Sequence, residues 1–213
     1  MESRFKPLDR GVFLDLETVD QGDLVRAGLE SALPSWEWHL FTEAVDIPAR
    51  IRGAQVVVTN KCLLDRQTLA DAAELRLIAL AATGTEPVDL EAAREFGMTV
   101  CNIRDYCTEA VVQHTMTLML NLLTGQPWYW QRVRAGAWSE ARQFSLQDRP
   151  IRETAGLNFG VIGYGNLGRA AADAAAALGM NALVAERRGR APRPGRLSFE
   201  EVLRRADVLS IHC

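Results

Sequence analysis

Leu157-Asn158-Phe159-Gly160-Val161-Ile162 runs directly into Gly163-Tyr164-Gly165-Asn166-Leu167-Gly168. The first six residues read as a buried strand. The next six carry glycine at the first, third and sixth places, and a helix is expected from Asn166 to Leu178. Ala170, Ala171, Ala174, Ala175 and Ala177 give that helix a small-residue side that can lie close to a sheet, and Gly179 stops it. A second strand, Asn181-Ala182-Leu183-Val184-Ala185, finishes at Glu186. Each glycine has its own reason: Gly163 for the tight turn, Gly165 for close backbone approach to a pyrophosphate, Gly168 for helix–strand packing. The helix start supplies N–H donors and positive potential to phosphates. Glu186 falls about twenty residues after the turn, where an acid meets the adenosine ribose. Strand, turn, helix, strand and acid together predict a dinucleotide-binding βαβ unit over 157–188, with Asn166 and Leu167 opening the helix beside the pyrophosphate.

Glu186 is followed by Arg187 and Arg188. A carboxylate hydrogen-bonds a ribose 2′-hydroxyl and repels a 2′-phosphate, whereas arginines attract that phosphate. The acid at the strand end favours NAD, and the arginines leave NADP as the alternative.

Upstream, short apolar runs alternate with helical patterns. Strands are expected at 12–15, 36–41, 55–59, 75–80 and 98–101, and helices at 23–33, 65–73, 88–95 and 108–123. Asp65 reads as an N-cap and Gly97 as a C-cap. The helix over 108–123 is so apolar that burial on several sides is expected. Strands alternating with helices imply a parallel sheet covered on both faces, here flavodoxin-like. Ligands of such sheets bind beyond the carboxyl ends of the strands. Three loops stand there: Thr59-Asn60-Lys61, Ala81-Ala82-Thr83-Gly84-Thr85 and Asn102-Ile103-Arg104. The rhythm breaks over 125–155. Trp128, Tyr129, Trp130 and Trp138 cluster there, as residues of a binding surface or of a packed subunit interface, and 143–153 reads as a linker.

The 213 residues carry a net charge of -3, which gives no general attraction to nucleic acid or an anionic membrane. The basic stretch from Arg187 to Arg196 reads as a solvated loop. Cys62, Cys101, Cys107 and Cys213 show no zinc-ligand spacing, so no metal is expected, and reduced thiols fit a cytoplasmic protein. The N-terminus lacks the apolar core of a signal peptide, and no run is long enough to span a bilayer.

With these motifs in hand, the sequence resembles the D-isomer-specific 2-hydroxyacid dehydrogenases, closest to the glycerate dehydrogenase and hydroxypyruvate reductase branch. The glycine turn carries the resemblance together with Thr59-Asn60-Lys61, residues 81–90, Val111-Val112-Gln113-His114-Thr115, residues 134–138, Leu178-Gly179-Met180 and residues 206–213. It implies a substrate domain over 1–124, a dimerisation arm and linker over 125–155, and the first half of a Rossmann NAD-binding domain over 156–213. It implies that Thr83, Gly84 and Thr85 form the loop holding a substrate carboxylate, with Thr83 also near the nicotinamide. Asn60 and Lys61 join the substrate site; Asn60 stands where phosphoglycerate enzymes have an arginine, which points to an unphosphorylated 2-oxo acid. Glu186 and Arg187 would meet the adenosine ribose, and His212 and Cys213 the floor of the adenine pocket. The family's catalytic Arg, Glu and His come later than Cys213. The sequence therefore reads as an N-terminal portion of a longer homodimeric enzyme, inactive alone, with His39, His114 and His212 structural. Two other readings stay open: a nicotinamide-sensing binding protein of the same fold, and a methyltransferase.

Overall fold

A computed structural model describes residues 7–213, which form two compact units, the first ending at Tyr106 and the second beginning at Cys107.

The first unit holds β1 (Arg10–Phe13), α1 (Ala27–Glu30), β2 (Ser35–Trp38), α2 (Ile47–Ile51), β3 (Val56–Thr59), α3 (Arg66–Ala70), β4 (Leu77–Leu80), α4 (Leu90–Glu95) and β5 (Thr99–Asn102). All five strands are parallel, in the order β2-β1-β3-β4-β5. This is the flavodoxin-like order expected from the sequence. Successive side chains of β3 explain its continuous apolar run: Val57 packs with Leu14, Ile51, Leu69 and Ile78 on one face, and Val56 and Val58 pack with Phe13 and Leu16 on the other. Asp65 caps α3 by accepting the Thr68 N–H at 2.9 Å, and Gly97 ends α4 at φ +74°.

The helix expected over 23–33 is only the four residues of α1. The Asp20 carboxylate accepts the N–H groups of Gly22 and Leu24 at 2.8 and 3.1 Å and pairs with Arg26 at 2.7 Å. These bonds fold residues 20–26 into a turn in place of the first helical turns.

The second unit begins with α5 (Thr108–Thr124), α6 (Gln126–Arg134) and α7 (Ala137–Glu140). It continues with β6 (Asn158–Ile162), α8 (Asn166–Ala177), β7 (Asn181–Val184), α9 (Phe199–Arg205) and β8 (Val208–Ile211). Its sheet is parallel, with β6 between β7 and β8. Two sequence expectations need correction here. The boundary at residue 124 is too late, because Met119 and Leu123 of α5 pack with Phe159, Val161, Ala171 and Ala175 of the second unit. Nor is α5 buried on several sides. One stripe, Val112, Met116, Met119 and Leu123, meets the core, while Leu118 and Leu122 remain 51% and 83% exposed.

The alanine face of α8 is narrower than the sequence suggests: Ala171, Ala172 and Ala175 are buried with Gly168, and Ala177 is exposed. Across the sheet, Gly160 leaves room for α9, since a Cβ there would lie 2.8 Å from Ala206 and 3.0 Å from Val202.

Candidate functional site

The glycine turn follows β6 directly. Gly163 has φ +86°, and a Cβ on it would fall 2.5 Å from the His212 carbonyl oxygen. A Cβ on Gly168 would fall 2.0 Å from the carbonyl oxygen of Gly163, so α8 rests on the turn only because this residue has no side chain. Gly165 differs. It has φ -88°, and no atom of the described residues lies within 4 Å of where its Cβ would be. Among the described residues the packing makes no demand for glycine there.

Asp65, Asp89 and Ser198 cap their helices by accepting N–H groups of Thr68, Ala92 and Glu201. The N-cap of α8 is Gly165, with no side chain to do this, so the positive end of a 12-residue helix faces outward uncapped. Asn166 and Leu167 form its first turn. Beside it lies a cavity of about 560 Å³ lined by Gly163, Tyr164, Gly165, Glu186, Phe199 and Cys213, among others. Its size suits the adenosine half of a dinucleotide.

The structure brings Gly163, Gly165, Glu186, Arg187 and Cys213 onto this one cavity, while Asn166, Leu167, Gly168 and His212 are not among its lining residues. His212 closes the turn with its backbone, its N–H donating to the Ile162 carbonyl at 2.8 Å. Its imidazole Nε2 lies 2.8 Å from Ser210 Oγ, and burial holds its pKa below the ordinary value.

Glu186 is only 4% exposed, and its carboxylate is already engaged. Arg193 grips both oxygens, with Nε 2.6 Å from Oε2 and Nη2 2.8 Å from Oε1. The Arg187 N–H donates to Oε1 at 2.9 Å, and Arg196 stands 3.6 Å away. The Arg193 fork foremost, then the Arg187 N–H, holds the Glu186 pKa down to about 2. The loop is solvated as expected, residues 187–195 all being exposed, yet its Arg193 reaches back to the acid. Leu197 bridges Ala185 in parallel and receives the Glu186 N–H at 2.9 Å.

In the first unit the strand order reverses between β1 and β3, where ligands of such sheets gather. Asp15, just beyond β1 and 2% exposed, sits at that point. Its carboxylate accepts the N–H groups of Asn60, Lys61 and Cys62 at 2.9, 2.6 and 3.2 Å and the Thr59 hydroxyl at 3.0 Å. Asn60 is itself buried, its amide donating to Thr18 Oγ1 at 3.1 Å, whereas Lys61 is exposed. The Thr83-Gly84-Thr85 loop follows β4. Asn102, at the end of β5, donates to the Thr83 carbonyl at 2.7 Å and pins it. Leu64 pairs with Val88, donating to the Pro87 carbonyl at 2.7 Å, so the two loops run side by side. A Cβ on Gly84 would collide with the Glu86 carboxylate.

The sequence alone missed two residues. Asp15 read as the last residue of a strand; an acid on a buried run at the strand-order reversal was its only signal. Arg193 was hidden in a run of five arginines within ten residues.

The fold and the glycine cradle define an α/β protein whose second unit is of the dinucleotide-binding class. Residues 116–213 match the family described as D-isomer specific 2-hydroxyacid dehydrogenase, NAD binding domain. The chain is 40% identical over 203 residues to a glycerate dehydrogenase of Methylorubrum extorquens, covering 94% of this chain and 62% of that one. It is 31% identical over 208 residues to a hydroxypyruvate reductase of Blautia hydrogenotrophica, covering 95% and 65%. A solved structure from Thermus thermophilus superposes with a TM-score of 0.80 at 28% identity, over 96% of this chain and 64% of that one. The chain is thus similar to the D-isomer-specific 2-hydroxyacid dehydrogenases, their NAD-binding domain matching residues 116–213, and it spans 62% to 65% of the length of these curated relatives.

Proposed function

We propose that this chain carries the cofactor cradle and part of the substrate site of an oxidoreductase that reduces a small 2-oxo acid, such as hydroxypyruvate or glyoxylate, to the D-2-hydroxy acid. The observation that carries this reading is the uncapped start of α8 behind Gly165, at a cavity with an acid on its wall. It supports binding of a dinucleotide pyrophosphate by the backbone of Gly165, Asn166 and Leu167. The nicotinamide supplies a hydride when bound. In the first unit, the Thr83-Gly84 backbone, fixed by Asn102, takes the substrate carboxylate, with Thr85 on the same loop and Lys61 on the neighbouring one. Asn60, turned to Thr18, serves by shaping its loop.

None of the three histidines is assigned the proton transfer. His39 lies 2.8 Å from Glu37, His212 is engaged with Ser210, and His114 is an exposed residue of α5. The Trp130 and Trp138 side chains, each 52% exposed, support a homodimer through the arm at 125–155. Free cysteines support a cytoplasmic location. Among the described residues no helix is long and apolar enough to cross a membrane.

Calorimetric titration with NADH and S-adenosylmethionine, followed by an NADH-oxidation assay of the whole enzyme on hydroxypyruvate and glyoxylate, tests the proposal. Saturable NADH binding and turnover of either acid are expected. Binding of S-adenosylmethionine alone would overturn it, and NADH binding without turnover of any 2-oxo acid would favour the non-enzymatic sensor.

A further inference from the structure

A strand-end acid selects NAD because its two oxygens receive the ribose hydroxyls and its charge repels a 2′-phosphate. In this structure the Glu186 carboxylate already has partners within the protein. Both oxygens are held by Arg193, and its negative charge is met at 2.6 to 2.8 Å by a guanidinium. The Arg187 backbone N–H and the Arg196 side chain add to the same carboxylate.

The rest of the cavity wall is basic. Arg187, Arg188, Arg193 and Arg196 line it, and among the described lining residues Glu186 is the one acid. The settings of the arginines differ. Arg196 lies over the Tyr164 ring at 5.7 Å, and Arg188 lies over Phe199 at 5.8 Å and 3.7 Å from the exposed Glu200. Arg193 has spent two of its donors on Glu186, and a guanidinium has five. Its side chain is 60% exposed, so the unused edge of the fork is accessible. A planar fork with a free edge suits the oxygens of a phosphate monoester. Such a phosphate brings a charge of about −1.5 to −2 near neutral pH.

From this the geometry points to Arg193 as the residue that sets dinucleotide preference: bound to Glu186, it turns the strand-end acid into half of a neutral pair and offers its outer edge to a 2′-phosphate, so the cleft accepts NADP(H) alongside NAD(H). This rests on the reading that the cleft takes the adenosine half of a dinucleotide. For NAD(H), the ribose competes with Arg193 for Glu186. For NADP(H), Arg193 stays where it is and the phosphate docks on it. Among the described lining residues it is the one bonded to Glu186 through its side-chain fork, so its loss both frees the acid and removes the phosphate partner.

The test is calorimetric titration of the purified chain with NADH, NADPH and the fragments 5′-AMP and 2′,5′-ADP, repeated on Arg193→Ala and Arg193→Lys. The wild-type chain is expected to bind NADPH within about tenfold of NADH, and 2′,5′-ADP more tightly than 5′-AMP. Arg193→Ala should weaken NADPH and 2′,5′-ADP at least tenfold while leaving NADH unchanged or tighter. Arg193→Lys keeps the charge without the fork and should fall between. NADH binding with NADPH more than a hundredfold weaker in the wild type overturns the inference, as does an Arg193→Ala variant that keeps its NADPH affinity. If no nucleotide binds the folded chain, the dinucleotide reading itself fails, a result distinct from either. Circular dichroism of each variant separates loss of the contact from loss of the fold, and Arg193→Lys carries the test if Arg193→Ala does not fold.

Discussion

Asp15 accepts the Asn60 N–H through both carboxylate oxygens, at 2.9 and 3.1 Å, across the point where the first sheet reverses its strand order. The same carboxylate holds Lys61 and Cys62, so one buried side chain fixes the loop that follows β3. It also helps to raise the pKa of the buried Cys62 thiol, an effect led by burial. Replacing Asp15 by alanine leaves several buried donors unmatched, at about 1–3 kcal/mol for each orphaned group. A domain of this size loses roughly 4–8 °C of Tm per kcal/mol. Thermal unfolding of Asp15→Ala should therefore show a fall of at least that much. An unchanged Tm would mean that the loop holds itself.

The glycine turn allows a sharper test, because its glycines are required for different reasons. Gly168→Ala puts a methyl group into the Gly163 carbonyl and should destabilise the second unit by about 1–3 kcal/mol or more. Gly165→Ala meets open space, so unfolding should be unaffected while NADH affinity falls tenfold or more. Chemical denaturation and NADH titration on the two variants read these effects separately. A Gly165→Ala protein that binds NADH normally would remove the cradle from the site.

These cases also mark how far the sequence could be read. The glycine spacing announced the turn because backbone geometry dictates residue type there. The β2-β1-β3-β4-β5 sheet was legible from β-branched runs such as Val56-Val57-Val58, which only burial on both faces explains. The partner of Glu186 was not legible. Arg193 lies among arginines of the same chemistry, and its bond depends on how the 187–196 loop returns to pair Leu197 with Ala185. Burial of α5 was over-read because apolar content does not say which face finds a neighbour: Leu122 is exposed and Leu123 is buried.

The ion pair makes a pH prediction of definite sign. The Glu186 pKa lies near 2 in the folded chain and near the usual 4.5 when unfolded. A depressed carboxylate pKa stabilises the fold above about 4.5, and the contribution is lost as pH falls through the window toward 2. The carboxyl carbon of Glu186, followed by NMR against pH, should titrate near 2 in the wild type and closer to 4.5 in Arg193→Ala. A wild-type midpoint near 4.5 would show that the fork is not formed in solution.

The apolar side chains left on α5 and α6 give the last prediction. Leu122 is 83% exposed and Trp130 is 52% exposed, beside the arm proposed to join two copies. Substitutions at sites this exposed usually change monomer stability by no more than about 0.5 kcal/mol. In a subunit interface, by contrast, a buried tryptophan carries a large share of the binding energy, commonly about 2 kcal/mol or more. Trp130→Glu and Leu122→Glu should therefore leave the unfolding midpoint of dilute protein nearly unchanged while weakening dimerisation at least tenfold. Sedimentation velocity over a range of concentrations measures this directly. A wild-type chain that sediments as a monomer at high concentration would rule out the arm as the dimer contact of this polypeptide. A dimer indifferent to both substitutions would move the interface to another face.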